Sequence, residues 1–285
     1  MHATRAVARE GSCAPAPFIK WAGGKGQLLG QLEGLLPKDA RVRRYHEPFI
    51  GGGALFFHLQ PRVADLADAN ADLIATYAAV KSEVEPLLRA LAPLDRGHSE
   101  ERYYRMRARW NEEADLSRVE RAALFIYLNK TGYNGLWRVN SRGKHNVPVG
   151  RYVRPHVFDA DVLRADAALL RGARLHAAPF ESVLDRAASG DFVYLDPPYH
   201  PISRTSSFTA YARGGFGEED QRRLAATFAE LDRRGCCVML SNSDCAFIAG
   251  LYRRFRIDRV RAARAINSKA GRRGSVSELV IRNYP

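Results

Sequence analysis

The chain has 285 residues, 46% of them hydrophobic and 26% charged, enough for a full core in one large domain carrying a smaller insert. No apolar run approaches a membrane span, and the start, MHATRAVAREGSCAPAP, lacks the apolar stretch of a secretory leader, so a cytoplasmic protein without a membrane partner is expected. The net charge of +13 suits a partner with a phosphate backbone, while four cysteines without a C-x-x-C pair give no basis for a disulfide framework or a metal site.

Residues 1–15 read as a polar, disordered tail. Beyond it, PFIKWAGGKGQLLGQLEGLLP reads as a glycine-rich loop feeding an amphipathic helix, with Leu28, Leu29, Leu32, Leu35 and Leu36 inward and Pro37 as its stop. In RRYHEPFIGGGALFFHLQP, Tyr45 to Ile50 is extended, Gly51 to Gly53 turn, and Ala54 to Leu59 begin a helix. A second short strand ends near Asp68 and a helix follows, a βαβ plan.

From about Lys81 to Arg174 that rhythm breaks. ERYYRMRARWN and VERAALFIYLNKTGYNGLW have helical periodicity, and LWRVNSRGKHNVPVGRY reads as two short strands around a turn at Ser141 to Lys144. The rhythm resumes with ARLHAAPFESVL, a strand in DFVYLDPPY, a helix from Glu218 to Arg234 and a strand in CCVMLSNSD. The expected organisation is a discontinuous α/β domain, 16–80 and 175–285, with 81–174 inserted.

Only seven of the 44 basic residues are lysines, so the charge also fits a merely basic, arginine-biased surface. Ten basic residues nevertheless cluster from Leu251 to Arg282 (Arg253, Arg254, Arg256, Arg259, Arg261, Arg264, Lys269, Arg272, Arg273 and Arg282) against the acids Asp258 and Glu278, which favours a phosphate-facing surface.

Pro197 and Pro198 cannot continue a central strand, so Asp196 stands at the C-terminal end of the run Phe192 to Leu195. Open α/β sheets bind ligands there. An acid and a rigid kink suit a planar amino nitrogen, whose lone pair is conjugated into its ring and must be drawn out. Asp196 and the carbonyl of Pro197 can each accept one of its N–H groups, and Tyr199 offers a face on which a single base stacks. Alone, the tetrapeptide also fits a structural strand end. The turn FIGGGA is not the dinucleotide fingerprint, and alone it fits a structural turn as well as a cofactor loop. Asp68, fifteen positions past Gly53, raises the second reading, because an acid at the next strand end can accept hydrogen bonds from ribose hydroxyls. With no phosphate-binding lysine after the glycines, S-adenosylmethionine, a nucleoside cofactor without pyrophosphate, fits.

These motifs together resemble the Dam-type DNA adenine methyltransferases, of the DPPY class whose cofactor motif comes first. FIKWAGGKGQLL, EPFIGGGALF, NKTGYNGLWRVNSRGKHNVPVGRY, DPPYHPISRTSSFTAYARGGF and INSKAGRRGSVSELVIRNY are similar to successive signatures of that family, from about Pro17 to Tyr284. The resemblance implies a Rossmann-like α/β methyltransferase with a mixed sheet and an inserted helical plus β-hairpin recognition domain. It implies S-adenosyl-L-methionine as methyl donor, no metal, and transfer to N6 of an adenine flipped out of double-stranded DNA, with GATC as the target. Carried over by motif, Trp21, Lys25, Phe49, Gly51, Gly53 and Asp68 would hold the cofactor. Phe180 is a weaker member of that set, because APFES lacks the acid the family often carries before its phenylalanine. Asp196, Pro197, Pro198 and Tyr199 would act on the base, Asp196 lying between cofactor and amine. Asn134, Arg138, Arg142, Lys144 and Arg151 would contact DNA, arginine being suited to guanine in the major groove, while Trp137, Val139, Val147 and Val149 read as core. A monomer is the simplest expectation. Cytosine N4, RNA adenine and a non-catalytic DNA-binding relative are the alternatives, and neighbouring genes decide between a solitary role and one beside a restriction nuclease.

Overall fold

Every residue of β4 (Phe192–Leu195) is buried, as expected of a strand covered on both faces. The computed structural model describes residues 13–201, 216–262 and 276–285. Among these, β4 lies in one sheet with β1 (Tyr45–Glu47), β2 (Ala64–Asp68), β3 (Ala173–Ala177), β5 (Cys237–Ser243), β6 (Arg256–Ala262) and β7 (Val276–Arg282). The order is β3-β2-β1-β4-β5-β7-β6; the first five of these strands run parallel, and β7 is antiparallel to both β5 and β6. From β1 the chain builds outward to β2 and β3, then returns to lay β4 on the other side of β1. The strand order therefore reverses between β1 and β4, and a crevice opens beyond their C-terminal ends.

The sequence-predicted elements form with small shifts. The amphipathic helix shortens to α1 (Leu29–Glu33): Leu28 and Leu32 are buried, but Leu29, Leu35 and Leu36 are only half-buried, because Gly30 and Gly34 weaken a short helix. The glycine turn feeds α2 (Ala54–Leu59), and α3 (Ala71–Ser82) is capped by Asn70, whose side chain accepts from the Leu73 N–H at 3.1 Å. The insert contributes α4 (Val84–Asp95), α5 (Glu100–Glu112), α6 (Arg118–Thr131) and α7 (Ala160–Leu170). α6 starts in a reciprocal cap between Ser117 and Glu120 and packs against α3, α4 and α5. Its run Ala122 to Asn129 is buried throughout, so the insert shares one apolar core with the sheet. α8 (Glu218–Arg233) and α9 (Ala246–Leu251) join a second buried cluster around Leu195, Val238 and Leu240. Among the described residues no helix is long and apolar enough to cross a membrane.

The hairpin of the insert turns where expected, with Asn140 N–H donating to the Lys144 carbonyl at 2.9 Å. Its arms, however, make only single bridges, Val139 to His145 and Gly132 to Val149, rather than a ladder. The Asn140 side chain accepts from the N–H groups of Arg142 and Lys144, competing with strand pairing, and Pro148 has no N–H to give. Val147 is buried and Trp137 packs on Phe125, as core residues should, but Val139 is 42% exposed.

A buried acid joins the N-terminal segment to the insert. Asp166 of α7 accepts the Ala16 N–H at 3.0 Å, and burial pushes its carboxyl up to about 8. A group that holds its proton more tightly folded than unfolded adds stability that is complete below about pH 4 and is lost as pH rises through about 8. Asp166→Asn, which keeps the acceptor without the charge, is expected to raise the melting temperature by a few degrees at about pH 9 and to change it little at about pH 5. Thermal melts at both pH values check this.

Candidate active site

The loop after β1 and the loop after β4 face each other across a cleft of about 950 Å³, closed on its third side by the glycine-rich stretch from Trp21 to Gly26. Trp21, Lys25, Phe49, Gly51, Gly53, Asp68, Phe180, Asp196, Pro197, Pro198 and Tyr199 all line it. Sequence reading had assigned each of them to this site.

Gly51 has φ +45° and lies against the Trp21 indole so closely that a Cβ would sit 2.5 Å from Trp21 Cδ1. Its N–H donates to Asp68 Oδ2 at 3.2 Å and its carbonyl accepts from the Tyr77 hydroxyl at 3.0 Å. Asp68 takes a second backbone N–H, from Asn70, at 2.9 Å. Burial pushes the Asp68 carboxyl up and the two backbone donors oppose this. Phe49 stacks on Phe180 at 5.3 Å between centroids, with Phe216 edge-on to Phe49, which makes one end of the cleft an apolar slot.

At the other end Lys25, itself buried, donates to the Gly23 carbonyl at 2.8 Å and meets Asp196 Oδ1 at 2.8 Å. At that distance the ammonium holds Asp196 Oδ1 by a charge-assisted contact and fixes the orientation of the carboxylate. Burial raises the Asp196 carboxyl from its ordinary value, and the Lys25 charge pulls it part of the way back. The Lys25 ammonium also lies 4.5 Å from the centre of the Tyr199 ring.

Other polar residues, which the sequence reading does not assign to the site, brace it. The Tyr199 hydroxyl donates to Glu278 Oε2 of β7 at 2.7 Å. The end of β5 braces the same loop: Asn242 Oδ1 accepts the His200 N–H, the Ser243 hydroxyl donates to the His200 carbonyl at 2.6 Å, and Gln221 of α8 donates to the Pro198 carbonyl at 3.0 Å. Among the described residues no donor reaches the Pro197 carbonyl. Glu47, at the end of β1, accepts from the Tyr45 hydroxyl at 2.7 Å, and burial lifts its carboxyl well above the usual range. Polar residues at the C-terminal ends of β1 and β5 were the signal for Glu47, Asn242 and Ser243; nothing local marked Glu278.

Asn134, Arg138, Arg142, Lys144 and Arg151 are all exposed on the turns of the insert, apart from the cleft lining. Asn134 has the left-handed φ of +52°, and Arg138 is steadied by Asn146 Oδ1 at 2.8 Å. In the C-terminal cluster Arg253, Arg254, Arg256, Arg259 and Arg261 are exposed. Arg282 is not: it is buried and donates twice to Asp258, so it adds no free charge to that surface. Arg264, Lys269, Arg272 and Arg273, with residues 202–215 of the stretch that follows Tyr199, lie outside the described residues.

A mostly parallel sheet with an antiparallel β7, and an acid-proline kink facing a glycine turn across the switch point, define a Rossmann-like methyltransferase. The model of the D12 class N6 adenine-specific DNA methyltransferases matches residues 21–266, and the chain belongs to that family. It is 42% identical to a type II methyltransferase of Methanocaldococcus jannaschii (94% of this chain, 99% of the relative) and 41% identical to one of Lactococcus lactis (94% and 95%). It is 38% identical to the DNA adenine methylase of Escherichia coli K12 (94% and 95%). The family acts on DNA, with S-adenosylmethionine as the implied methyl donor.

Proposed function

We propose that the protein methylates N6 of an adenine turned out of duplex DNA, within GATC, using S-adenosylmethionine. The observation that carries this reading is the meeting, in one cleft, of the Asp196 carboxylate, the Tyr199 ring, and the Gly51 and Asp68 cradle. That cradle fits the cofactor: Asp68 spends one backbone donor on each oxygen and keeps lone pairs for two hydroxyls, the absence of a Cβ at Gly51 leaves the indole of Trp21 in place as a wall, and Phe49 and Phe180 suit an adenine ring. When bound, the cofactor supplies the electrophilic methyl group.

The residues of this chain do the rest. Tyr199, held at its hydroxyl by Glu278, receives the base, which cannot reach a pocket while stacked in the duplex. Asp196 accepts one N6–H and the Pro197 carbonyl the other, which frees the nitrogen lone pair for attack and lets the departing proton pass to an acceptor already in contact. Asn134, Arg138, Arg142, Lys144 and Arg151 contact the duplex, and the 38% identity to the Escherichia coli methylase supports GATC.

The first test is transfer of a labelled methyl group to matched duplexes, one with a single GATC and one with it scrambled. Label on adenine N6 in the first alone supports the full reading; label in both discards the sequence assignment. Asp196 must be ionised to accept, and its carboxyl is raised by burial. Single-turnover rate is therefore expected to fall on acidification with a midpoint above the ordinary 3.8, and a rate still flat when a normal carboxylate would titrate removes Asp196 from this role.

A further inference from the structure

Between the cofactor cleft and the DNA-facing turns lies one fully buried amide. Asn129, near the end of α6, accepts the Lys20 N–H at 2.8 Å on Oδ1 and donates from Nδ2 to the carbonyls of Lys20, at 2.7 Å, and Gly135, at 2.9 Å. Lys20 immediately precedes Trp21, the wall against Gly51. Gly135 closes the short helical turn Tyr133–Gly135, which carries Asn134 in its left-handed conformation. The two segments touch: a Cβ on Gly135 would come within 2.3 Å of Lys20 Cβ. The Lys20 ammonium adds a bond to the Lys130 carbonyl at 3.1 Å and lies 4.0 Å from the centre of the Tyr152 ring, next to Arg151. An amide alone among side chains of this size serves one N–H and two carbonyls together.

We infer that Asn129 is a positioning residue for sequence discrimination: it fixes the Tyr133–Gly135 turn against the stretch that carries the cofactor wall. This rests on the proposed reading that the insert turns contact DNA. A turn displaced by a few tenths of an ångström loses hydrogen bonds that only the cognate site makes, while a mismatched site has little to lose. Discrimination therefore falls more than activity on altered DNA.

The test compares kcat/KM on a GATC duplex with that on a duplex carrying one changed outer base pair, for the native protein, Asn129→Asp and Gly135→Ala. The aspartate keeps the bond from Lys20 N–H but turns an oxygen on both carbonyls; the alanine pushes the turn off Lys20 without touching Asn129. Both are expected to cut the ratio at least about tenfold, within the span of ordinary coupling energies, while activity on the altered duplex stays within about threefold. Circular dichroism establishes that each variant is folded, and Gly135→Ala decides if Asn129→Asp is not. Equal losses on both duplexes in a folded variant overturn the inference and leave Asn129 a structural residue. A native protein that does not discriminate between the duplexes instead overturns the proposed recognition of GATC.

Discussion

Asp196→Ala is expected to lower methyl transfer by about 10³-fold or more in a protein that remains folded. The amine of adenine is nucleophilic only while its N–H bonds are held by acceptors, and Asp196 offers at the end of β4 a carboxylate that the Lys25 ammonium holds in place. Alanine also leaves the Lys25 ammonium, buried at one end of the cleft, without its anion at 2.8 Å, so some loss of stability accompanies the loss of rate. Asp196→Asn separates the two effects. It keeps the shape and one acceptor oxygen but no charge, so its rate should fall between the native and alanine values and its acid limb should vanish. Single-turnover transfer with saturating cofactor, alongside circular dichroism, measures both. A folded Asp196→Ala protein with native turnover would remove this residue from the chemistry.

Gly51→Ala is expected to weaken cofactor binding by about 30-fold, which corresponds to about 2 kcal/mol. The added Cβ would stand 2.5 Å from Trp21 Cδ1 and 2.8 Å from Nε1, and an alanine at φ +45° is strained whatever the space. Relief comes from moving either the indole or the turn. Both routes damage the site, because the Gly51 N–H holds Asp68 Oδ2 and the Gly51 carbonyl holds Tyr77. Gly30→Ala is the control: its Cβ meets nothing within 4 Å, and in a helix alanine is the better residue, so binding should be unchanged. Titration of S-adenosylmethionine against the three proteins by calorimetry reads the difference. Equal affinities for native protein and Gly51→Ala would mean that the turn is structural.

What the sequence alone determined is local. The prolines after Asp196 end β4 through backbone geometry, which needs no neighbour, so Asp196 was legible as a strand-end residue; β1, expected to run from Tyr45 to Ile50, instead stops at Glu47 before Pro48, and Gly51 lies in the turn beyond it. Their chemistry followed from residue type, and the motif resemblance, now matched by a family model, joined them into a methyltransferase. Short apolar runs likewise located β2 and β5, which are buried on both faces, and helical periodicity located α5 and α8, where burial of one face repeats along the chain.

Tertiary structure decided everything that depends on which strand lies beside which. β4 settles against β1 across the whole stretch of chain from α2 to β3, and that pairing sets Asp196 facing the glycine-rich turn across the cleft, where Lys25 meets it. Glu278 reaches Tyr199 because β7 runs antiparallel to β5, a register with no local trace. Asp258 takes Arg282 out of a cluster whose acids the sequence shows but does not pair, and Asn129, buried in the apolar run of α6, gains its place from two backbone segments on either side of it. The physical reason is common to all four: a periodic pattern records which face of an element is buried, whereas an ion pair or a buried amide records the partner that folding brings to that face.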